Sequence, residues 1–226
     1  MAYKSVVLED SVTINRIISV HYFQYMSDFS FPGESHDFWE LVCVDRGEID
    51  ALAGDRRLTL KKGNILFHKP NEFHNVLTNG KVSPSLVVIG FECHSPAIKS
   101  FEDQLMSVQD TEKELMAQII VEARNTFSGR LDDPYQEELI FNSEPLTFGS
   151  AQLISHYLEQ LMIHLYRRYF SYSLPVRSSR FLAEASSGND TYNRIVRYME
   201  EHLGERMTID RICRDNLVGR LSLIHI

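Results

Sequence analysis

The hydrophobic and polar positions of this chain change their period once, near residue 95. Before it, short runs rich in Val, Ile, Leu and aromatics (VTINRIISV, HYFQYM, FWELVCV, RRLTL, NILFH, LVVIGFEC) alternate with turn-forming clusters such as FPGES, DRGE, AGDR, KKGN, KPNE and TNGK. That rhythm predicts closely spaced antiparallel strands in a small barrel or sandwich. No helix-period segment interrupts them.

After residue 95 the period becomes helical. Asp110 or Thr111 can cap a run that sets Leu115, Ile119, Ile120 and Ala123 on one face. The segment LDDPY breaks the chain, and a stronger helix is expected over 149–170. In it Ile154, Leu158, Leu161 and Leu165 alternate spacings of four and three, a coiled-coil seam. Leu153, Tyr157, Met162, Tyr166 and Tyr169 widen the apolar face. One reading packs this helix on its own barrel; the other adds a dimer interface, and both can hold. The Ser-, Pro- and Gly-containing stretch 171–189 reads as a linker. Beyond it, Asp190 can cap a helix with Tyr192, Ile195, Val196, Met199 and Leu203 on one face, closed by Gly204. Thr208 can cap a second, with Ile209, Ile212 and Cys213 inward.

Composition narrows the classes. The chain has 226 residues, 43% hydrophobic and 24% charged, which is ordinary globular material able to bury a core. Its net charge of −8 tells against a strong DNA binder as the sequence stands. The 3 cysteines, Cys43, Cys93 and Cys213, are far apart and fit reduced thiols, not a thiolate zinc site. No apolar run suits a signal peptide or a membrane-spanning helix, so a cytoplasmic protein without a membrane partner is expected. No nucleophile elbow, Walker loop or dinucleotide fingerprint occurs, and no cofactor or catalytic residue is expected.

The candidate chemistry lies in GESHDFWELVCVDRGE and KKGNILFHKPNEFHNV. Strand alternation puts His36, Phe38 and Glu40 on one face and Asp37, Trp39 and Leu41 on the other. His74 follows a turn at Pro70 and Asn71. Two imidazoles and a carboxylate inside a small barrel need partners, since each unpaired buried polar group costs roughly 1–3 kcal/mol. A polyhydroxylated ligand, ordered water or a metal could supply them. Phe38 is a wall able to stack on a sugar face, and His21, Tyr22 and Tyr25 are expected near the barrel mouth.

These segments resemble the two motifs of the cupin superfamily, through Glu34, His36, Glu40 and Gly47, then Gly63, Pro70 and His74. Glu34 stands where the first histidine of that pattern falls, and the spacing from Pro70 to His74 is one residue short. More specifically, HDFWELVCVDRGE and GNILFHKPNEFH resemble the sensor domains of AraC-type transcription regulators. The order of parts through SPAIKSFED, the two helices and NRIVRYMEEHLGERMTIDRICRD is similar to that family along nearly the whole chain.

The resemblance implies an α+β protein. A cupin-like antiparallel β-barrel (1–95) is followed by a helical dimerisation segment (96–170), the linker (171–189) and a truncated helix-turn-helix segment (190–220); 221–226 is expected to be a non-native tail. It further implies a ligand-responsive, homodimeric regulator, not an enzyme. His36, Phe38, Glu40 and His74 would contact a small-molecule inducer, with a sugar as the leading candidate. Ile154, Leu158, Leu161 and Leu165 would serve dimerisation, and Arg211, Arg214 and Arg220 would touch DNA. Promoter DNA is expected as a partner of the full-length parent only, because a recognition helix is missing here. The alternative is a cupin metalloenzyme holding its metal on His36, Glu40 and His74, with Glu34 beside them.

Overall fold

The computed structural model describes residues 3–80, 82–133, 136, 138–143, 147–171, 198, 199, 202 and 208–215. The chain divides into two units, Met1–Ser171 and Tyr172–Ile226.

Seven strands form first: β1 (Ile14–Gln24), β2 (Trp39–Arg46), β3 (Glu48–Ala53), β4 (Arg56–Lys61), β5 (Asn64–His68), β6 (His74–Thr78) and β7 (Ser85–Cys93). A 3-10 turn at Pro96–Phe101 leads to β8 (Leu105–Ser107), then α1 (Asp110–Thr126), the short pair β9 (Phe127–Ser128) and β10 (Ile140–Phe141), and α2 (Ser150–Tyr169). The strands pair antiparallel in a five-stranded sheet, β1-β7-β2-β5-β8, and a three-stranded sheet, β4-β3-β6. This is a cupin-like architecture with helices added. Gly47, at φ 77°, makes the one-residue corner where the chain leaves β2 in one sheet and enters β3 in the other. The segment after residue 95 is no separate layer, since β8 extends the first sheet by pairing with β5.

Two cores follow from strand alternation. One face of β2 points Trp39, Leu41 and Cys43 into the cluster that includes Leu115, Ile119, Ile154, Leu158, Leu161 and Leu165 of the helices. Its other face points Val42 and Val44 between the sheets, among Ile49, Leu60, Leu66, Val76 and Leu86. β2 is therefore buried on both sides, which explains its nearly continuous apolar run.

The N-cap of α1 is Gln109, ahead of both expected candidates, Asp110 and Thr111. The Gln109 backbone N–H donates to Glu112 Oε2 at 2.8 Å, and Glu112, buried, pairs with Arg168 of α2 at 3.1 Å. Gln109 and Glu112 form a reciprocal capping box, and the same carboxylate bridges to α2. α2 is tied to β1 as well, where the Ile14 N–H donates to Glu159 Oε1 at 3.0 Å.

The expected dimer seam needs correction. Ile154, Leu158, Leu161 and Leu165 are at most 1% exposed inside the unit's own core. They pack on α1 and the sheet, and the outward positions of α2, such as Gln152, His156, Gln160, His164 and Arg167, are polar. Sheet and helix together supply the partners that the wide apolar face required.

In the second unit, α3 (Ile209–Asp215) starts at Thr208, whose Oγ1 accepts the Arg211 N–H at 3.3 Å. Apart from Ser171, Tyr198, Met199 and His202, the linker and the helix expected from Asp190 lie outside the described residues, as does the tail at 221–226.

Leu161→Ala is expected to destabilise the fold by about 2–5 kcal/mol, through lost transfer energy and the cavity left behind. Urea unfolding checks this. A stability unchanged within error, with only association altered, would restore the seam to an intermolecular role.

Candidate functional site

One end of the space between the sheets is apolar and filled; the other is a cavity of about 410 Å³. β1 contributes His21 and Phe23 to it, with Tyr25 just beyond its end, β2 contributes Glu40 and Val42, and β6 contributes His74 and Val76. Glu34, His36 and Phe38 come from the segment before β2. Backbone pairing carries Glu34 into place: its N–H donates to the His74 carbonyl at 2.9 Å, and the His74 N–H returns to the Glu34 carbonyl at 3.0 Å. Gly33, at φ 104°, precedes it where an added Cβ would sit 2.8 Å from the His74 carbonyl oxygen.

Glu34, His36, Glu40 and His74 each offer one donor atom to a common point, all within 4.8 Å of one another. Glu40 is central. Its Oε1 lies 3.4 Å from His74 Nε2, and its Oε2 lies 3.7 Å from His36 Nε2. Backbone carbonyls orient both rings. His36 Nδ1 donates to the Phe38 carbonyl at 3.0 Å, and His74 Nδ1 donates to the Glu72 carbonyl at 2.9 Å. A carbonyl only accepts, so Nδ1 carries the hydrogen, and in the neutral ring Nε2 presents a lone pair. Both Nε2 atoms are buried without a hydrogen-bond partner.

His68 and Glu72 belong to the same assembly. His68 is fully buried and donates from Nδ1 to Glu72 Oε2 at 3.1 Å. Its ring stacks on His74 with centroids 4.3 Å apart, and its Nε2 is likewise unpartnered. The sequence carried a signal for it. Glu40 pairs with His68 across β2 and β5, and alternation along NILFH sets Leu66 and His68 on the face opposite Ile65 and Phe67.

Phe38 lies flat on His36, with centroids 3.7 Å apart and planes 3° apart. It stands over Gly90 of β7, where an added Cβ would come 2.9 Å from the Phe38 ring and 2.7 Å from Ser19 Oγ. His21 and Tyr25 line the cavity as expected at its mouth, but Tyr22 does not. Neighbours on a strand point to opposite faces, and the Tyr22 hydroxyl donates to Asp45 on the outer side, at 2.9 Å. Arg211 and Arg214 fall on α3; Arg220 lies outside the described residues.

The site's charges are coupled. Burial pushes the Glu40 carboxyl up, but pairing with His36 and the positive charge available at His74 and His68 outweigh it and hold the group below its ordinary value. Burial lowers His36 too, yet Glu40 and Glu34 together raise it above the ordinary imidazole. Burial dominates at His74 and His21, which are both lowered. Two imidazole lone pairs and two carboxylates fit a borderline divalent ion such as Fe, Mn or Zn, held by Glu34, His36, Glu40 and His74. Such an ion would supply positive charge and Lewis acidity there.

Opposed antiparallel sheets with a polar cavity at one end are a cupin-like arrangement. Residues 17–86 match the family model of the AraC-like ligand binding domain. No curated protein matches the chain. Solved structures with similarity include the cupin domain of Schizosaccharomyces pombe Cnp3, with 12% identity over 39% of this chain and 59% of that one (TM-score 0.33). Apo ToxT from Vibrio cholerae, in a variant form, shows 9% identity over 94% of this chain and 75% of that one (TM-score 0.44). Unsaturated fatty acid-bound wild-type ToxT shows 9% over 94% and 73% (TM-score 0.42). The chain thus spans less than two thirds of the Cnp3 domain structure. Among the described residues, no helix is long and apolar enough to cross a membrane.

Gly90→Val is expected to cost about 1–3 kcal/mol by forcing Phe38 off His36. Adding Phe38→Ala should recover part of that loss, and strictly additive costs in the double mutant would show that the two do not touch. The histidines give a pH signature. Below 6.5 the unfolded chain takes up protons at His21 and His74 that the fold resists, so both withdraw stability as pH falls from 6.5 towards their lowered folded values. His36, raised, works in the opposite sense. His21→Asn should therefore show a smaller drop in Tm between about pH 7.5 and 5.5 than the parent; an equal drop would remove His21 from the linkage.

Proposed function

We propose that the chain is the sensor part of an AraC-type, ligand-responsive transcription regulator. The carrying observation is Glu40, a buried carboxylate lining the cavity, flanked at 3.4 and 3.7 Å by imidazole Nε2 atoms that form no close hydrogen bond. Neutral rings and an ionised carboxylate are acceptors, so an occupant must bring donors or positive charge. Sugar hydroxyls do so, with Phe38 offering an aromatic face over which a pyranose or furanose ring can lie. His36, Phe38, Glu40 and His74 are the proposed ligand contacts.

Regulation follows by linkage. The inducer shifts the protein between two arrangements only by its differential affinity for them. In the whole protein those arrangements would present paired helix-turn-helix domains differently to promoter DNA. A homodimer would use surfaces other than the buried seam of α2. Cytoplasmic location and the absence of catalysis go with this reading.

The convergence of Glu34, His36, Glu40 and His74 within 4.8 Å also favours a second reading, a metal-dependent cupin enzyme. One set of measurements separates the two. A sugar library is screened by thermal shift on metal-free protein, and purified protein is analysed for bound metals. A stabilising sugar is expected, with affinity reduced by Glu40→Ala by about 1.5–3 kcal/mol, the worth of a charge-assisted hydrogen bond. Stoichiometric metal with no organic ligand would overturn the sensor reading in favour of the second.

A further inference from the structure

A second cavity, of about 450 Å³, lies on the other side of β2, between the outer face of the five-stranded sheet and α1. It shares no lining residue with the cavity around Glu40. Its floor is apolar and includes Cys43, Val87 and Val108, and its helical wall includes Met116 and Ile120. Burial, with some help from Asp45 and against the charge of Lys113, pushes the Cys43 thiol up to about 12.

The lip has a different composition. Lys113, Ala117, Val121 and Arg124 recur at spacings of four, four and three, which is one stripe along α1. The stripe reads cation, apolar, apolar, cation. Val121 is 47% exposed, a large apolar side chain left open at the rim. Lys62, in the turn between β4 and β5, is a third lining cation. Asp45 is the one carboxylate among the lining residues, and it already accepts the Tyr22 hydroxyl at 2.9 Å. Lys113 is held by Asp110 at 3.0 Å, but that pair is exposed and worth little. A mouth with three cations and one engaged carboxylate is set on a chain whose net charge is −8.

We propose that this cavity is a second ligand site, separate from the one between the sheets, for a small amphiphilic carboxylate. Its acyl or aryl body would fill the apolar slot over Cys43 and Val87, and its head group would meet Lys62, Lys113 and Arg124 at the mouth. The charge pattern selects the head: an alcohol of the same length forgoes the ion pairs, and an amine is repelled. The site's place on β2, back to back with Glu40, puts both ligands against one strand.

Titration calorimetry of the full chain with sodium octanoate, 1-octanol and octylamine hydrochloride tests this. Octanoate should bind at one site about tenfold more tightly than octanol, with octylamine weakest. Lys113→Gln with Arg124→Gln should erase the preference for octanoate over octanol. Ala117→Trp should block binding by filling the slot; Ala117 is exposed, so the fold tolerates the change. Glu40→Gln should leave octanoate affinity unaltered. The proposal is overturned if octanol or octylamine binds as well as octanoate, or if no probe binds in the millimolar range. It also falls if octanoate survives Ala117→Trp but is lost in Glu40→Gln, which would place the amphiphile between the sheets.

Discussion

A buried carboxylate ringed by imidazoles is the constraint around which this domain is organised. Glu40 sits on a strand covered on both faces, where ionisation costs several kcal/mol unless positive charge or donors are at hand. The fold answers with imidazoles. His36 and His74 are turned towards Glu40 by backbone carbonyls, and His68 stacks behind His74 on its own carboxylate, Glu72. None of these contacts satisfies the carboxylate fully, for the closest imidazole nitrogen stands 3.4 Å away. Under the proposed sensor reading, the same groups would provide affinity for an occupant of the cavity.

The rest of the molecule keeps that arrangement rigid. β2 is the third strand of a five-stranded sheet, held between β7 and β5, and its outer face packs into the core shared with α1 and α2. The helices are tied to each other through Glu112 and Arg168, and to the sheet through Glu159 and the Ile14 N–H. Gly90 leaves room for Phe38 to lie on His36. A ligand that displaced Phe38 or drew His74 towards itself would press on a packed sheet, and from there on the helices of the outer face. Packed cores pass on such shifts because they have little void to absorb them.

Periodicity made much of this legible in the sequence. Alternation along HDFWELVCV was enough to assign His36, Phe38 and Glu40 to one face and Trp39 to the other. It could also have assigned His68 inward and separated Tyr22 from His21, because side-chain direction on a strand is a local property. The helix over α1 and α2 was readable for the same reason, from spacings of three and four.

Who covers an apolar face is not a local property. The seam of α2 has the spacing of a coiled coil, yet its partners are α1 and the sheet of its own unit, a choice made by the chain's return path and not by the seam itself. Glu112 of the α1 capping box also pairs with Arg168, more than fifty residues away. The stacking of His68 on His74, and the slot between α1 and the outer sheet, exist only once distant segments are packed. The sequence by itself determined which residues share a face and where the chain turns, since those depend on neighbours along the backbone. Tertiary structure alone decided which faces meet, because that is set by the competition among all apolar surfaces for the same limited interior.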